Sequence, residues 1–540
     1  MASHTASQRY LSTRGGSYGL SFEEAVLKGL APDNGLFIPE EIPSLPPNWQ
    51  NDWANLPFEG LAFEVLSLYI SPTEIPPSSL MNIIHKSYST FRVPSVTPTV
   101  TLDSDRKIHL LELFHGPTFA FKDVALQLLG NLFEFFLIRR NQNKSKTGED
   151  REHLTVIGAT SGDTGSAAIF GLRGKKDISV FIMYPTGRIS QMQEAQMTTV
   201  TDKNVHCLSV DGTFDDCQDL LKDLFADPLI NTTQRLTSVN SINVSRILAQ
   251  IIYYFASYFS LIRSGTFNPL TDHIRFVVPS GNFGNILAGF FAKRMGLPIS
   301  KLIIATNEND ILHRFWQTGA YEKHGVQSAS AEGFNVGVKE TLSPAMDILI
   351  SSNFERLLWF IAYDVYTSNV DGIQERRQIA ALKVKEWQTS LKTKGGFCVE
   401  QKVLDAARVD FSSERVSDAE TLVTIRDVYR WPNTGSPGPK GYVLDPHSAI
   451  SATAAQRSAK TAPGIHNVAL STAHPAKFSH AVEMALAEEK EFQFKDILPS
   501  QLLGLESLPR RVKHVQRSGG LDGVRTIIMN ELEKELNGTP

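Results

Sequence analysis

The stretch LTVIGATSGDTGSAAIFGLRGKKDISVFIMYP, residues 154–185, decides the fold. A β-branched run, LTVIGAT (154–160), gives way to a polar glycine loop. GSAAIFGLRGK then has the small and apolar residues of a packed helix, and a second apolar run, ISVFIMYP, comes after it. The same alternation recurs where NVHCLSV leads into FDDCQDLLKDLF and where IRFVVP (274–279) leads into NILAGFFAKRMGL. Further strand-like runs are expected at KLIIATN, GYVLD and HNVALST. Strands that alternate with helices predict an α/β protein with doubly wound parallel sheets and helices on both faces.

Outward from this region the texture changes. Residues 1 to about 95 carry helical patches broken by Pro and Gly clusters, and Ser21 with Glu24 has the spacing of a capping box. They predict a small N-terminal domain packed on the rest of the chain. Three segments read as solvated loops: 139–153, the polar SSERVSDAE (412–420), and WPNTGSPGPKG (431–441). The apolar run Ile247 to Ile262 is short of the ~20 residues that cross a bilayer, so it is expected to be a buried core helix.

A chain of 540 residues implies several domains, and 42% apolar with 20% charged residues is a globular balance. A net charge of −4 offers no basic surface for nucleic acid. Cys207, Cys217 and Cys398 contain no C-x-x-C pair, and MASHTASQRY has no apolar signal core, so a cytoplasmic protein without a membrane segment is expected. Neither a Walker A pattern nor G-x-G-x-x-G occurs.

Four segments carry chemistry. In IHLLELFHGPTFAFKDVALQLL an extended run turns at His115-Gly116-Pro117 and places Lys122 at the mouth of an apolar helix. A lysine held there is either desolvated toward neutrality, as Schiff-base lysines are, or reaches solvent beside Asp123. SGNFGNILAGFF, directly after a strand, makes Gly281, Asn282, Phe283, Gly284 and Asn285 a phosphate cradle of backbone N–H groups, or an ordinary strand-to-helix turn. Thr160, Ser161, Asp163 and Thr164 offer hydroxyls and N–H groups to an anion, or simply cap a helix. In ALSTAHPAKF, Ser471 or Thr472 presents a hydroxyl at a strand's carboxyl end, where such sheets bind ligands. His466, His474 and His480 match no metal spacing and are expected at the surface, so no metal is expected.

In the order HGPTFAFKD, GATSGDTGSAA, YPTGRIS, VNSINVSR, PSGNFGN and LSTAHPAKF, with YLSTRGG and GLAPDNGLFIP ahead of them, the sequence resembles the threonine synthase family in its fungal type. The resemblance runs from about residue 10 to the end. It implies a fold-type II, tryptophan synthase β-like enzyme that uses pyridoxal 5'-phosphate (PLP): two doubly wound parallel-sheet domains plus the N-terminal domain of residues 1–95. Within 96–540 it implies a smaller domain at about 120–240 and a larger one made of the flanking segments.

The implied reaction is β,γ-elimination and replacement, which turns O-phospho-L-homoserine and water into L-threonine and phosphate. Lys122 would be the Schiff-base lysine and proton carrier. Gly281, Asn282, Phe283, Gly284 and Asn285 would bind the cofactor phosphate, and Thr472 would face the ring nitrogen. Thr160, Ser161, Asp163 and Thr164 would hold the substrate carboxylate, although Asp163 stands where related enzymes commonly show Asn. Arg188, Ser190, Asn243 and Arg246 are candidates for the leaving phosphate. A threonine or serine ammonia-lyase or a phospho-lyase of the same fold is the nearest alternative. A non-catalytic phosphate-binding α/β protein is the distant one. Oligomeric state is left open.

Overall fold

Two parallel sheets organise the chain. The computed structural model describes residues 8–144, 151–227, 235–323, 337–431, 441–516 and 519–537. Residues 145–150 of the charged segment and 432–440 of the Pro/Gly-rich one, both expected to be loops, lie outside the described residues. Among the described residues one sheet has six strands in the order Phe411–Arg415, Ile299–Thr306, Ile274–Pro279, His466–Ser471, Ile108–Glu112 and Thr99–Asp103. All its pairings are parallel except the last, where Thr99–Asp103 runs antiparallel. The other sheet has five parallel strands, Lys513–Val515, Val205–Val210, Ile178–Pro185, Leu154–Ala159 and Leu236–Ser238.

Strands Ile108–Glu112, Ile178–Pro185, Val205–Val210 and His466–Ser471 are buried along their whole length, which is why they read as continuous apolar runs and not as alternating ones. Helices Lys122–Arg140, Asp163–Leu172 and Val244–Arg263 pack into one core with strands of both sheets. The last is the expected core helix, with almost every side chain buried. The first two meet backbone to backbone at Gly130 and Gly171. A Cβ on Gly171 would lie 2.5 Å from the Leu126 carbonyl oxygen, and one on Gly130 would overlap the Gly171 carbonyl. Only glycine permits this approach.

The N-terminal region shares the main core. Strand Tyr10–Ser12 pairs antiparallel with Phe37–Pro39, and Trp49 and Trp53 pack edge-on against Phe255. The Ser21–Glu24 capping box forms. Thr13 and Arg14 both bond the carboxylate of Glu355, at 2.5 and 2.7 Å, and tie this region to helix Phe354–Tyr366.

Three expectations are corrected. GYVLD is not a strand: Tyr442 donates to Glu112 Oε1 (2.6 Å), and Asp445 caps helix Pro446–Thr461. SSERVSDAE is not a loop. Phe411–Arg415 forms an edge strand on Ile299–Thr306, and Ser417 with Glu420 closes a capping box on helix Asp418–Arg430. His466 is not at the surface, because it stacks on His109 inside the six-stranded sheet with its Nδ1 2.9 Å from His109 Nε2. Burial holds both imidazoles below their ordinary value.

Candidate active site

The carboxyl ends of neighbouring parallel strands bring the candidate residues together. In the six-stranded sheet, Ile108–Glu112, His466–Ser471 and Ile274–Pro279 are adjacent, and they lead respectively into the Lys122 turn, Thr472 and the Gly281–Asn285 loop. In the five-stranded sheet, Ile178–Pro185, Leu154–Ala159 and Leu236–Ser238 are adjacent, and they lead into Arg188, the 160–164 loop and Asn243. Carboxyl-end crevices are where open α/β sheets bind ligands.

Lys122 opens its helix after a turn in which Phe119 N–H donates to Gly116 O and Phe119 adopts φ +60°. Asp123 folds back instead of pairing with Lys122, and accepts from Thr118 N and Oγ1 at 2.8 and 2.7 Å. Lys122 therefore does not snorkel beside Asp123. Its side chain is 11% exposed, and its Nζ lies 3.9 Å from Asp163 Oδ2. Burial lowers the Lys122 amine to about 8; Asp163 opposes this, and Lys477 and Arg246 reinforce it.

Lys477, a residue of the LSTAHPAKF segment that was given no role from sequence, lies at the heart of the site. It is 1% exposed, and its Nζ is 2.7 Å from Asp163 Oδ1 and 2.8 Å from Thr118 O. Gln193 Nε2 donates to the same Asp163 oxygen at 2.9 Å. Burial would raise the Asp163 carboxyl, but Lys477 and Lys122 outweigh it and hold the group below the usual carboxylate range. A buried carboxylate is thus balanced by a buried ammonium.

Thr472 lies against the Lys122 turn: Phe121 N–H donates to Thr472 O at 2.8 Å, and Thr472 N–H donates to Ser448 Oγ at 3.1 Å. Arg246, in the first turn of its helix, is 3% exposed and donates to Val239 O at 2.8 Å. It is not the exposed charge that its place beside an apolar run suggests. Among the described residues it has no carboxylate partner, and burial lowers it to about 10. The next residue, Ile247, lies 3.4 Å from where a Gly284 Cβ would be, so this turn spans from Lys122 to the cradle.

In the cradle the left-handed position is Phe283 (φ +64°) and neither glycine, a correction to the simple view that the glycines make the turn. The Phe283 ring is buried against Trp316, Phe354 and Phe411, which anchors that backbone. Gly281 is needed for closeness: a Cβ there would be 3.1 Å from Ala345 O and 3.2 Å from Met346 Cα. The loop's carbonyls are held from outside, Gly281 O by Ser351 Oγ (2.6 Å) and Asn282 O by Asn353 N and Nδ2 (3.1 and 2.8 Å). Among the described residues the N–H groups from Gly281 to Asn285 have no protein acceptor. Asn285 Nδ2 is buried without a partner, while its Oδ1 accepts from Tyr253 and Tyr254. Unpaired donors at a helix N-terminus suit an anionic ester such as the phosphate of PLP.

Some candidates are occupied by the fold. The Thr160 hydroxyl accepts from Gly162 N (3.0 Å) and Gly165 N (2.9 Å), so it shapes its loop and is not free for substrate. Asn243 caps its helix through Oδ1 and commits one N–H of its amide to Val26 O, so it is held by the fold. Ser190 caps helix Gln191–Thr198 and is exposed, as is Arg188. Ser161 and Thr164 are half-buried. Among the described residues no group of three or more His, Cys, Asp or Glu side chains could hold a metal.

Family models match three stretches of the chain: Threonine synthase N terminus over residues 9–88, Pyridoxal-phosphate dependent enzyme over 92–353, and Threonine synthase, C-terminal, over 448–528. Threonine synthase from Saccharomyces cerevisiae is 51% identical over 536 residues, 98% of this chain and 99% of that one. The chain belongs to the threonine synthase family. Its Schizosaccharomyces pombe relative is 53% identical over 92% of this chain and 93% of its own. The crystal structure of threonine synthase from yeast superposes with a TM-score of 0.88 at 51% identity, covering 98% and 99% of the two chains. PLP-bound threonine synthase from Brucella melitensis gives 0.82 at 39%, covering 97% and 99%. The family is PLP-dependent, with a fold-type II architecture of mixed α/β structure and parallel sheets.

Proposed function

We propose that the cluster around Lys122 converts O-phospho-L-homoserine and water to L-threonine and phosphate, with Lys122 as both the covalent anchor of PLP and the proton carrier. The observation that carries this reading is the Lys122 amine itself, lowered by burial to about 8 and facing Asp163 at 3.9 Å. An amine in that range both takes up and returns a proton near neutral pH. PLP, held at its phosphate by the Gly281–Asn285 loop, supplies the electron sink for carbanion chemistry at the substrate α-carbon.

The chain's own groups divide the remaining work. The Asp163–Lys477 pair keeps a carboxylate facing the anchor without leaving a net buried charge. Thr472, whose hydroxyl is a weaker partner for a ring nitrogen than a carboxylate, moderates the sink. Ser161 and Thr164 are positioned for the substrate carboxylate. Arg246 offers an unopposed positive charge to the leaving phosphate; Arg188 is the second cation for that role. The same reading takes residues 1–95 as an N-terminal domain packed on the catalytic region and about 120–240 as the smaller catalytic domain. It also assigns the enzyme to the cytoplasm, where the three free cysteines fit a reducing compartment. Among the described residues no helix is long and apolar enough to cross a membrane.

Borohydride reduction of the holoenzyme followed by peptide mapping tests the anchor, and the label is expected on Lys122 alone. Incubation with phosphohomoserine tests the reaction. Threonine with phosphate supports it, whereas 2-oxobutyrate with phosphate assigns the chain to the lyases of this fold.

A further inference from the structure

The ionised groups around the anchor do not cancel. Lys122, Lys477 and Arg246 bring positive charge to one buried region, and Asp163 brings the carboxylate that faces them. The other titratable groups nearby do not restore the balance. Asp123 accepts from the Thr118 N–H and hydroxyl, and burial pushes its carboxyl up to about 6. Burial takes His474 down to about 3, so it adds no charge near neutral pH. An excess of buried positive charge is relieved when one amine gives up its proton.

Geometry selects which amine. Lys477 Nζ lies 2.7 Å from Asp163 Oδ1 and donates to Thr118 O at 2.8 Å. Gln193 Nε2 donates to the same Oδ1 at 2.9 Å, so that oxygen is engaged twice. Among the described residues Oδ2 has no hydrogen-bond donor, and Lys122 Nζ, 3.9 Å from it, has no hydrogen-bond acceptor. The turn Pro475–Lys477 that holds this arrangement is fastened to the Lys122 turn. His474 N–H donates to Phe119 O at 3.1 Å, and Phe121 N–H donates to Thr472 O at 2.8 Å. Lys122 is therefore the amine that can be discharged without breaking a hydrogen bond.

We propose that Lys477 is a positioning residue for the reaction: by occupying Asp163 it keeps Lys122 from being locked onto that carboxylate as an ammonium, and leaves the anchor free to lose and regain a proton. The proposal rests on Lys122 as the anchor. Lys477 acts through Asp163, whose pull on Lys122 it cancels.

Competitive acetylation of the cofactor-free, full-length chain from about pH 6 to about pH 11, with the Lys122 peptide quantified by mass spectrometry, reads that amine directly. In wild type its reactivity should reach half-maximum at about pH 8. Lys477→Met should raise the proton affinity of Lys122 by about tenfold or more. The neutral pair Asp163→Asn/Lys477→Met should bring it back to the wild-type value or below. An unchanged midpoint in Lys477→Met overturns the proposal. So does an equal rise in the double variant, which would make Lys477 a packing residue. If circular dichroism shows that Lys477→Met does not fold, Asp163→Asn is compared with the double variant. Lys122 should then titrate at the higher pH in the double variant, which lacks the Lys477 charge, and equal midpoints overturn the proposal. Borohydride mapping of the wild-type holoenzyme keeps the two readings apart: a label away from Lys122 overturns the anchor, whereas a label on Lys122 with unmoved midpoints overturns only the role of Lys477.

Discussion

The loops at 160–165 and 281–285 share one pattern, a strand, a glycine-containing polar turn and a helix, yet they do opposite work. The first turns its donors inward: the Thr160 hydroxyl collects the N–H groups of Gly162 and Gly165, and Asp163 projects a carboxylate onto two lysines. The second has its carbonyls bonded from outside by Ser351 and Asn353 and leaves its N–H groups open. One loop presents negative charge to a cation, and the other presents donors to an anion. Polarity at such a turn is set by which backbone groups its neighbours consume, more than by the glycines themselves.

The largest expected effect breaks the first loop. Asp163→Ala leaves Lys477 buried without its partner and should cost about 3–5 kcal/mol in urea unfolding. Asp163→Asn should cost clearly less, since the amide oxygen can still accept from Lys477. A small effect of Asp163→Ala would mean that the carboxylate does not balance that charge.

Next, Asn285→Asp keeps an acceptor for Tyr253 and Tyr254 but turns the second loop against anions. PLP affinity should fall by about 100-fold, read by equilibrium dialysis. The glycines separate the loops more finely. Gly162→Ala puts a side chain at φ +136° and into the Gln193 amide, and should cost about 2 kcal/mol of stability. Gly281→Ala presses on Ala345 and Met346 and should instead weaken PLP by about tenfold.

A separate expected effect is on pH dependence. In cofactor-free protein the folded Lys122 amine titrates at about 8, below its unfolded value of 10.5. Between those values the unfolded chain binds more protons, so this group makes stability rise with pH. The difference in stability between wild type and Lys122→Met should therefore grow in favour of wild type from about pH 8 to pH 10.5. A flat difference would show that Lys122 is not desolvated.

Much of this was legible in the sequence because it is local. Apart from GYVLD, the apolar runs became parallel strands, Lys122 does open a helix, and 244–263 is a core helix. What escaped depends on distant partners. Lys477 acquires its meaning from Asp163, 314 residues earlier in the chain, and only the adjacency of the two sheets brings them together. A lysine inside the otherwise small and apolar PAKF turn was the one available hint. The polar 412–415 became a strand because Ile299–Thr306 offered an open edge to pair with. Phe283 takes the left-handed position because its ring is anchored among aromatic residues from three other elements, which no glycine rule anticipates.

The meeting of Gly130 and Gly171 works like the rivet of a pair of scissors. Lys122 lies eight residues before one glycine and Asp163 eight before the other, so each tip is about 12 Å from the crossing at 1.5 Å per helical residue. A rotation of about 5° at the rivet swings a tip by about 1 Å, a quarter of the Lys122–Asp163 separation of 3.9 Å. Small relative turns of the two sheets are thereby geared into changes in how strongly the anchor lysine feels its carboxylate, while the rivet itself stays closed.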